Sequence, residues 1–249
     1  MKKNLKLASI LFCVCALAAL AALAQTAKKA AAPKPLRVDI SKDKVGGEST
    51  KFLSVVGNWA VVEDGGKKVY AVDGREWLRG NPSRSLAENA RAIYGSKHED
   101  FVDNVKAFAY FPYSVAKEVN DFQNGEISVK FKMISGKLDK CAGILFNLKP
   151  NGDYLTVRFN GKEDNLVLWT FNKGVRKFVK RGTENVPLEL NTWHEIKIAV
   201  HGTQLEGWLD GKKLIDYTLA EPVSGKVGLW SKTDSLSYFD GFTVTPMEK

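Results

Sequence analysis

Apolar and polar residues alternate along most of the chain. Over residues 126–133, Ile127, Val129, Phe131 and Met133 fall on one face and Glu126, Ser128, Lys130 and Lys132 on the other. A period of two is that of a strand with one buried face. The same reading predicts strands at 59–62, 69–72, 106–111, 142–148, 154–159 and 166–171, then at 176–179, 193–200, 204–209, 226–230 and 237–244. Between them stand Asp64-Gly65, Asp73-Gly74, Asn124-Gly125, Asn151-Gly152, Asn160-Gly161 and Asp210-Gly211, pairs able to supply the positive φ of a tight reversal. Many short strands at this spacing predict an all-β fold, a sandwich of two packed antiparallel sheets. One segment departs from the period. Ser85 and Glu88 form a capping box ahead of Leu86, Ala90, Ile93 and Tyr94, which predicts one short helix serving as a connection.

The N-terminus follows another pattern. Lys2, Lys3 and Lys6 flank an uncharged apolar run over 7–23, and Ala22-Leu23-Ala24 precedes Gln25. This is the layout of a secretory signal peptide, residues 1–24, with cleavage near Gln25 and a secreted or periplasmic product that keeps no stable membrane insertion. An uncleaved anchor is the alternative, because the run is nearly long enough to span a bilayer. Residues 25–37 include AKKAAAPKP, too small and basic to offset the entropy of ordering, and predict a disordered leader. Residues 38–249 then form a single sandwich domain.

Composition narrows the chemistry. Cys141 is the one cysteine beyond the leader, so no intrachain disulfide forms, and its setting in CAGILF reads as a buried small hydrophobe. The net charge is +9, or +6 once the three lysines of the signal segment are removed. Its densest cluster is Lys173, Arg176, Lys177, Lys180 and Arg181. Alternating charge on a hairpin reads as a solvated face, with an anionic-ligand patch as the alternative. There is no nucleic-acid module. His98, His194 and His201 lack metal-ligand spacing, and no Gly-x-Ser-x-Gly elbow occurs, so neither a zinc site nor a serine hydrolase is supported.

Strand geometry suggests a binding face. With Ile144, Phe146 and Leu148 facing the core beside Leu155, Val157 and Phe159, a loop over 149–152 pairs Asn147 with Tyr154 and Gly143 with Arg158 on the opposite face. An amide, a phenol and a guanidinium there would offer a saccharide one aromatic plane and several directional donors. An ordinary solvated sheet face is the competing reading. Trp169 and Trp230 either extend the stacking surface or belong to the core.

Several segments carry a resemblance: FPYSVA at 111–116, NGEISVKFK at 124–132, SGKLDKCAGILF at 135–146, DYLTVRFNGKEDN at 153–165, NTWHEIKIAV, the LDGKKL hairpin, GKVGLWSKTDS at 225–235 and FDGFTV at 239–244. In order and spacing they resemble secreted sandwich domains of the family 16 glycoside hydrolase-like or 3-keto-disaccharide hydrolase-like kind, within the concanavalin A-like lectin/glucanase group. The resemblance implies a saccharide or glycan partner and puts Lys232 and Asp234 at the rim of the binding concavity, the alternative being a surface ion pair. With Asn147, Tyr154, Arg158, Asn160, Asn165 and Trp169 they complete the candidate carbohydrate-binding set. The family pattern has an arginine where this chain has Asn147. It also implies a structural calcium ion held by Asp240, the alternative being that Asp240 caps a turn with Gly241.

Whether the sugar is also cleaved stays open on these residues. Glycoside hydrolysis normally needs two carboxyl groups, about 5 Å apart for retention or about 6.5 to 9.5 Å for inversion. The Glu-x-Asp-x-x-Glu string of the true family 16 enzymes is absent. Glu163 and Asp164 are the remaining candidate pair; as sequence neighbours they point apart on a strand and converge only in a turn. A non-catalytic interaction module of the cell envelope is the third reading.

Overall fold

The computed structural model describes residues 34–75, 86–99 and 110–247. Its strands are β1 (Leu36–Arg37), β2 (Phe52–Val56), β3 (Trp59–Asp64), β4 (Lys67–Asp73), β5 (Tyr113–Ala116), β6 (Gly125–Ser135), β7 (Cys141–Leu148) and β8 (Tyr154–Asn160). They continue as β9 (Asn165–Asn172), β10 (Val175–Arg181), β11 (Trp193–His201), β12 (Gln204–Leu209), β13 (Lys212–Thr218), β14 (Lys226–Trp230) and β15 (Leu236–Pro246), and a helix α1 spans Leu86–Tyr94. One sheet has the order β13-β12-β11-β6-β15-β4-β3 with β1 added against β15, and the other the order β10-β9-β8-β7-β14-β5-β2. The pairings are antiparallel, as the two-sheet expectation requires. The Asp210-Gly211 pair turns β12 into β13 with φ of 49° and 77°, a reversal that matches the twist of the strands it joins.

The alternation of β6 holds in three dimensions: Ile127, Val129, Phe131 and Met133 are all buried in the main core between the sheets. They meet Ile144, Phe146, Val157, Phe159, Leu166 and Leu168 from the facing sheet. Burying such a stripe from both sides at about 25 cal/mol per Å² is the main force closing the sandwich.

Four strands were not signalled by the alternation. β1 falls within the stretch expected to be a leader, where Leu36 and Arg37 pair with Val244 and Thr243. β2, β5 and β13 are also additional. The β2 pattern FLSVV and the β5 pattern YSVA are buried on both faces, so they present no alternation to read. The helix appears at its expected place, while Ser85 and residues 106–109 of one expected strand lie outside the described residues.

A second burial surface explains β2 and β5. On the outer face of the seven-stranded sheet Ala90, Ile93 and Tyr94 of α1 join Val55, Val56, Tyr113, Val115, Cys141, Leu145, Tyr154, Phe171 and Trp230 in a second apolar cluster. Asn89 fixes the helix there by donating from Nδ2 to the Ser54 carbonyl at 2.5 Å. Cys141 is fully buried in this cluster, and burial pushes its thiol up to about 12. It packs as a small hydrophobe, not as a nucleophile.

Candidate functional site

The expected register across β7 and β8 is present: Gly143 faces Arg158, Ile144 faces Val157 and Phe146 faces Leu155. A Cβ at position 143 would lie 2.8 Å from the Arg158 Cβ and 2.8 Å from the Val157 carbonyl oxygen, so only glycine admits this crossing. Beyond Phe146 the pattern breaks. Asn147 adopts φ of 56°, the left-handed region, and the following Leu148 packs in the outer cluster instead of the main core. The Asn147 side chain turns aside to accept a bond from the Ser224 amide at 3.0 Å. Its place is therefore an inter-loop brace, not the sheet face shared with Arg158.

Tyr154 also differs from expectation. It points to the outer face as alternation requires, but that face is covered at this point. Only 3% of it is exposed; its ring stacks on Phe171 at 4.3 Å, and its hydroxyl accepts from Trp230 Nε1 at 3.2 Å. Burial, partly offset by that bond, raises its phenol well above the usual value. A ligand has no access to its ring plane. Trp230 is likewise fully buried.

Past the covered part the same face opens into a pocket of about 460 Å³. β8 supplies Arg158, β9 supplies Asn165, Val167 and Trp169, β10 supplies Arg176, Phe178 and Arg181, and the flanking loops supply Glu163 and Lys232. The β9–β10 register sets Phe178 opposite Trp169, and their rings meet edge to face at 5.7 Å. Arg176 lies over the Trp169 ring at 4.3 Å and over Phe111 at 5.2 Å, and Arg158 lies 5.7 Å from the Trp169 centroid.

Arg158 anchors the floor. It is 1% exposed and donates from Nη1 to the Asn165 side-chain oxygen at 2.5 Å and carbonyl at 3.2 Å, and from Nη2 to Glu163 Oε2 at 2.8 Å. Partial burial pushes the Glu163 carboxyl up, but the Arg158 charge and the bonds from Arg158 and Asn165 outweigh it, so the group stays below its ordinary value. Burial, then the neighbouring Arg158 charge, lowers Arg176. Three buried donors in the pocket, Arg158 Nε, Trp169 Nε1 and Arg176 Nη1, have no hydrogen-bond acceptor among the described residues. A buried N–H without a partner costs about 1–3 kcal/mol, so an incoming acceptor gains what the folded chain leaves unmade.

Other predicted site residues are brought near but used differently. Asn160 is buried, donates to Asp139 Oδ1 at 3.1 Å and accepts from the Lys162 amide at 3.0 Å, which makes it a turn support. Asp234 is also buried, and its carboxylate accepts the amides of Lys137, Leu138 and Asp139 at 2.7–3.0 Å. Burial would raise its carboxyl, but those amides hold it below the usual range. It is a loop clamp, with no oxygen left facing the pocket. Lys232 does line the pocket and pairs with Asp139 at 3.0 Å. Asp164 adopts φ of 51° and does not line the pocket, so Glu163 is the one carboxylate among the lining residues. Arg176, Phe178 and Arg181 are pocket residues that were not among the single-site candidates. Their signal was present in the basic hairpin cluster, where Arg176 and Phe178 stand two residues apart and hence on one face.

Asp240, the residue expected to hold calcium, is engaged by an ammonium. It lies at a bulge of β15 between Asp240 and Thr243 and is paired with Lys67 Nζ. No group of three or more His, Cys, Asp or Glu side chains able to hold a metal occurs among the described residues. Calcium takes six to eight oxygens, carboxylate and carbonyl alike, and here the Asp240 carboxylate is engaged by the Lys67 ammonium. A larger cavity of about 620 Å³ adjoins this pair. Its lysines are engaged, Lys67 by Asp240 and Lys68 by the carbonyls of Ser41 and Asp43, and none of the unpartnered donors lies there.

No protein-family pattern matches this sequence, and no curated protein matches it significantly. Solved structures do match it in shape. The carbohydrate binding module CBM66 from Bacillus subtilis superposes with a TM-score of 0.54 at 14% identity, covering 78% of this chain and 96% of that one. A structure described as a native glycosidic hydrolase gives 0.52 at 15% identity over 87% of this chain and 97% of its own. A Bacillus subtilis protein of unknown function with a galectin-like fold gives 0.52 at 12% identity over 89% and 99%. The chain therefore has a concanavalin A-like, galectin-like two-sheet sandwich fold.

Proposed function

We propose that this protein is an exported saccharide-binding sandwich whose site is the open pocket over β8, β9 and β10. The observation that carries the reading is the joint presence there of an exposed aromatic side chain, Phe178, and three buried N–H donors lacking acceptors. A sugar needs both features: an apolar plane for its ring and fixed donors for its oxygens. The shape likeness to a carbohydrate binding module and to a galectin-like fold is consistent with this and carries the fold alone. The basic and apolar N-terminal segment supports export.

Binding without hydrolysis is the reading the pocket favours. Hydrolysis would need a second carboxyl group and a proton donor. Glu163 is the one lining carboxylate, and Arg158 holds it in the ionised form, the wrong state for a general acid.

A glycan array probed with the purified protein, followed by calorimetry on the best hit, tests this. The expected result is a selective hit, with Arg158→Gln lowering its affinity about tenfold or more through loss of the charged floor and a product assay showing no turnover. An array without hits, or an unchanged affinity in a folded Arg158→Gln protein, would overturn the assignment.

A further inference from the structure

The pocket is one-sided in charge. Four of its lining residues are cationic, Arg158, Arg176, Arg181 and Lys232, against the single carboxylate of Glu163. Two cations are answered, Arg158 by Glu163 at 2.8 Å and Lys232 by Asp139 at 3.0 Å. Arg181 donates to the neutral side chain of Asn185 at 2.8 Å. Among the described residues no carboxylate forms an ion pair with Arg176 or Arg181.

Arg176 is the telling member. Its guanidinium lies over the Trp169 ring and near that of Phe111, partly withdrawn from water, with Nη1 buried and without an acceptor among the described residues. The Arg158 charge nearby opposes it. Desolvating a cation beside another cation is unfavourable unless something negative completes the arrangement. A neutral sugar hydroxyl would answer the vacant donors and leave the excess charge standing. An anionic oxygen group answers both, and a guanidinium fork is built to hold one through two parallel bonds.

We propose that the pocket recognises an acidic saccharide, its carboxylate or sulfate group seated among Arg176, Arg158 Nε and Trp169 Nε1 and its ring lying toward Phe178. This rests on the saccharide-binding reading above and adds the class of sugar. The basic hairpin cluster is then divided in function: Arg176 and Arg181 line the pocket, whereas Lys177 and Lys180 are exposed to solvent.

Calorimetry at low salt separates this inference from the broader reading. The probes are an oligogalacturonate and its carboxyl-reduced form, a chondroitin sulfate oligosaccharide with its desulfated, carboxyl-reduced form, and inorganic sulfate. The expected result is that at least one acidic oligosaccharide binds ten- to a hundredfold more tightly than its neutral counterpart, the sensitive probe showing whether the group is carboxylate or sulfate. Raising salt should narrow that preference. Arg176→Gln should abolish it and Arg176→Lys restore part of it, since lysine keeps the charge and loses the fork. Equal binding of acidic and neutral forms, or binding of a neutral array glycan with neither acidic probe bound, overturns the acidic-sugar inference while leaving the saccharide reading intact. Inorganic sulfate binding as tightly as either oligosaccharide also overturns it. Absence of binding to every probe and every array glycan removes both readings. The wild-type comparison decides these cases even where a variant fails to fold.

Discussion

The outer face of the seven-stranded sheet is one surface with two different fates. Toward β7, β14 and β5 it is covered by α1 and closed into an apolar cluster, with Tyr154 and Trp230 sealed inside. Toward β9 and β10 it stays open, and Trp169, Arg176 and the exposed Phe178 border a pocket with the buried Arg158 in its floor. Tyr154 and Arg158 stand four residues apart on the same strand and point the same way, yet one is bonded within a closed core and the other keeps a donor in reserve. Direction on a strand is thus set locally by the pleat, whereas accessibility is set by which distant segment lies on top.

The largest test of that contrast is Tyr154→Ala. Removing a ring stacked on Phe171 from a closed cluster should cost about 3–5 kcal/mol, read as a lower urea midpoint. A loss below about 1 kcal/mol would show that the covered half is not closed. Next is Asp234→Asn, which weakens three charge-assisted bonds from backbone amides and should cost about 1–3 kcal/mol. Here the backbone amides hold the folded carboxyl below the ordinary aspartate value of about 3.9. Its stabilisation is therefore complete above that value and is lost as pH falls through the lower folded one, in the range below about pH 4. Acid titration of wild type against Asp234→Asn should show the difference shrinking there; a constant gap down to pH 2 would contradict the clamp. The smallest stability effect is expected for Phe178→Ala. With 60% of its surface exposed, its removal should change stability by less than about 0.5 kcal/mol while weakening saccharide binding. A large drop in melting temperature would mean that the open half is structural after all.

Much of the sheet was readable in the chain. The β6 alternation, the β7–β8 register and the Gly143–Arg158 crossing all follow from a period of two. What escaped has two physical sources. The left-handed turn at Asn147 breaks the period within a strand, and no composition rule requires a non-glycine residue to take that conformation. The covering of Tyr154 depends on its strand neighbour Phe171 and on Tyr113 and α1, the last two tens of residues away where local patterning does not place them. The site was half legible for the same reason. Arg158, Asn165, Trp169, Glu163 and Lys232 line the pocket; Asn147, Tyr154, Asn160 and Asp234 are neighbours in sequence or fold that serve as braces. Arg176 was visible only as part of a charged hairpin, because its meaning depends on the register that lays it across Trp169.

β10, which carries the outer wall of the pocket, is also the end strand of its sheet and pairs with β9 alone among the described strands. A wall of this kind has one neighbour to satisfy. Its outward residues can be exchanged with little effect on the packing of β8, so ligand preference can drift while the sandwich persists. The same position leaves one row of backbone amides and carbonyls without a sheet partner, an invitation to docking by a foreign strand. The exposed Lys177 and Lys180 answer it, since two ammonium groups on a bare margin repel a second such margin and discourage ribbon-to-ribbon aggregation.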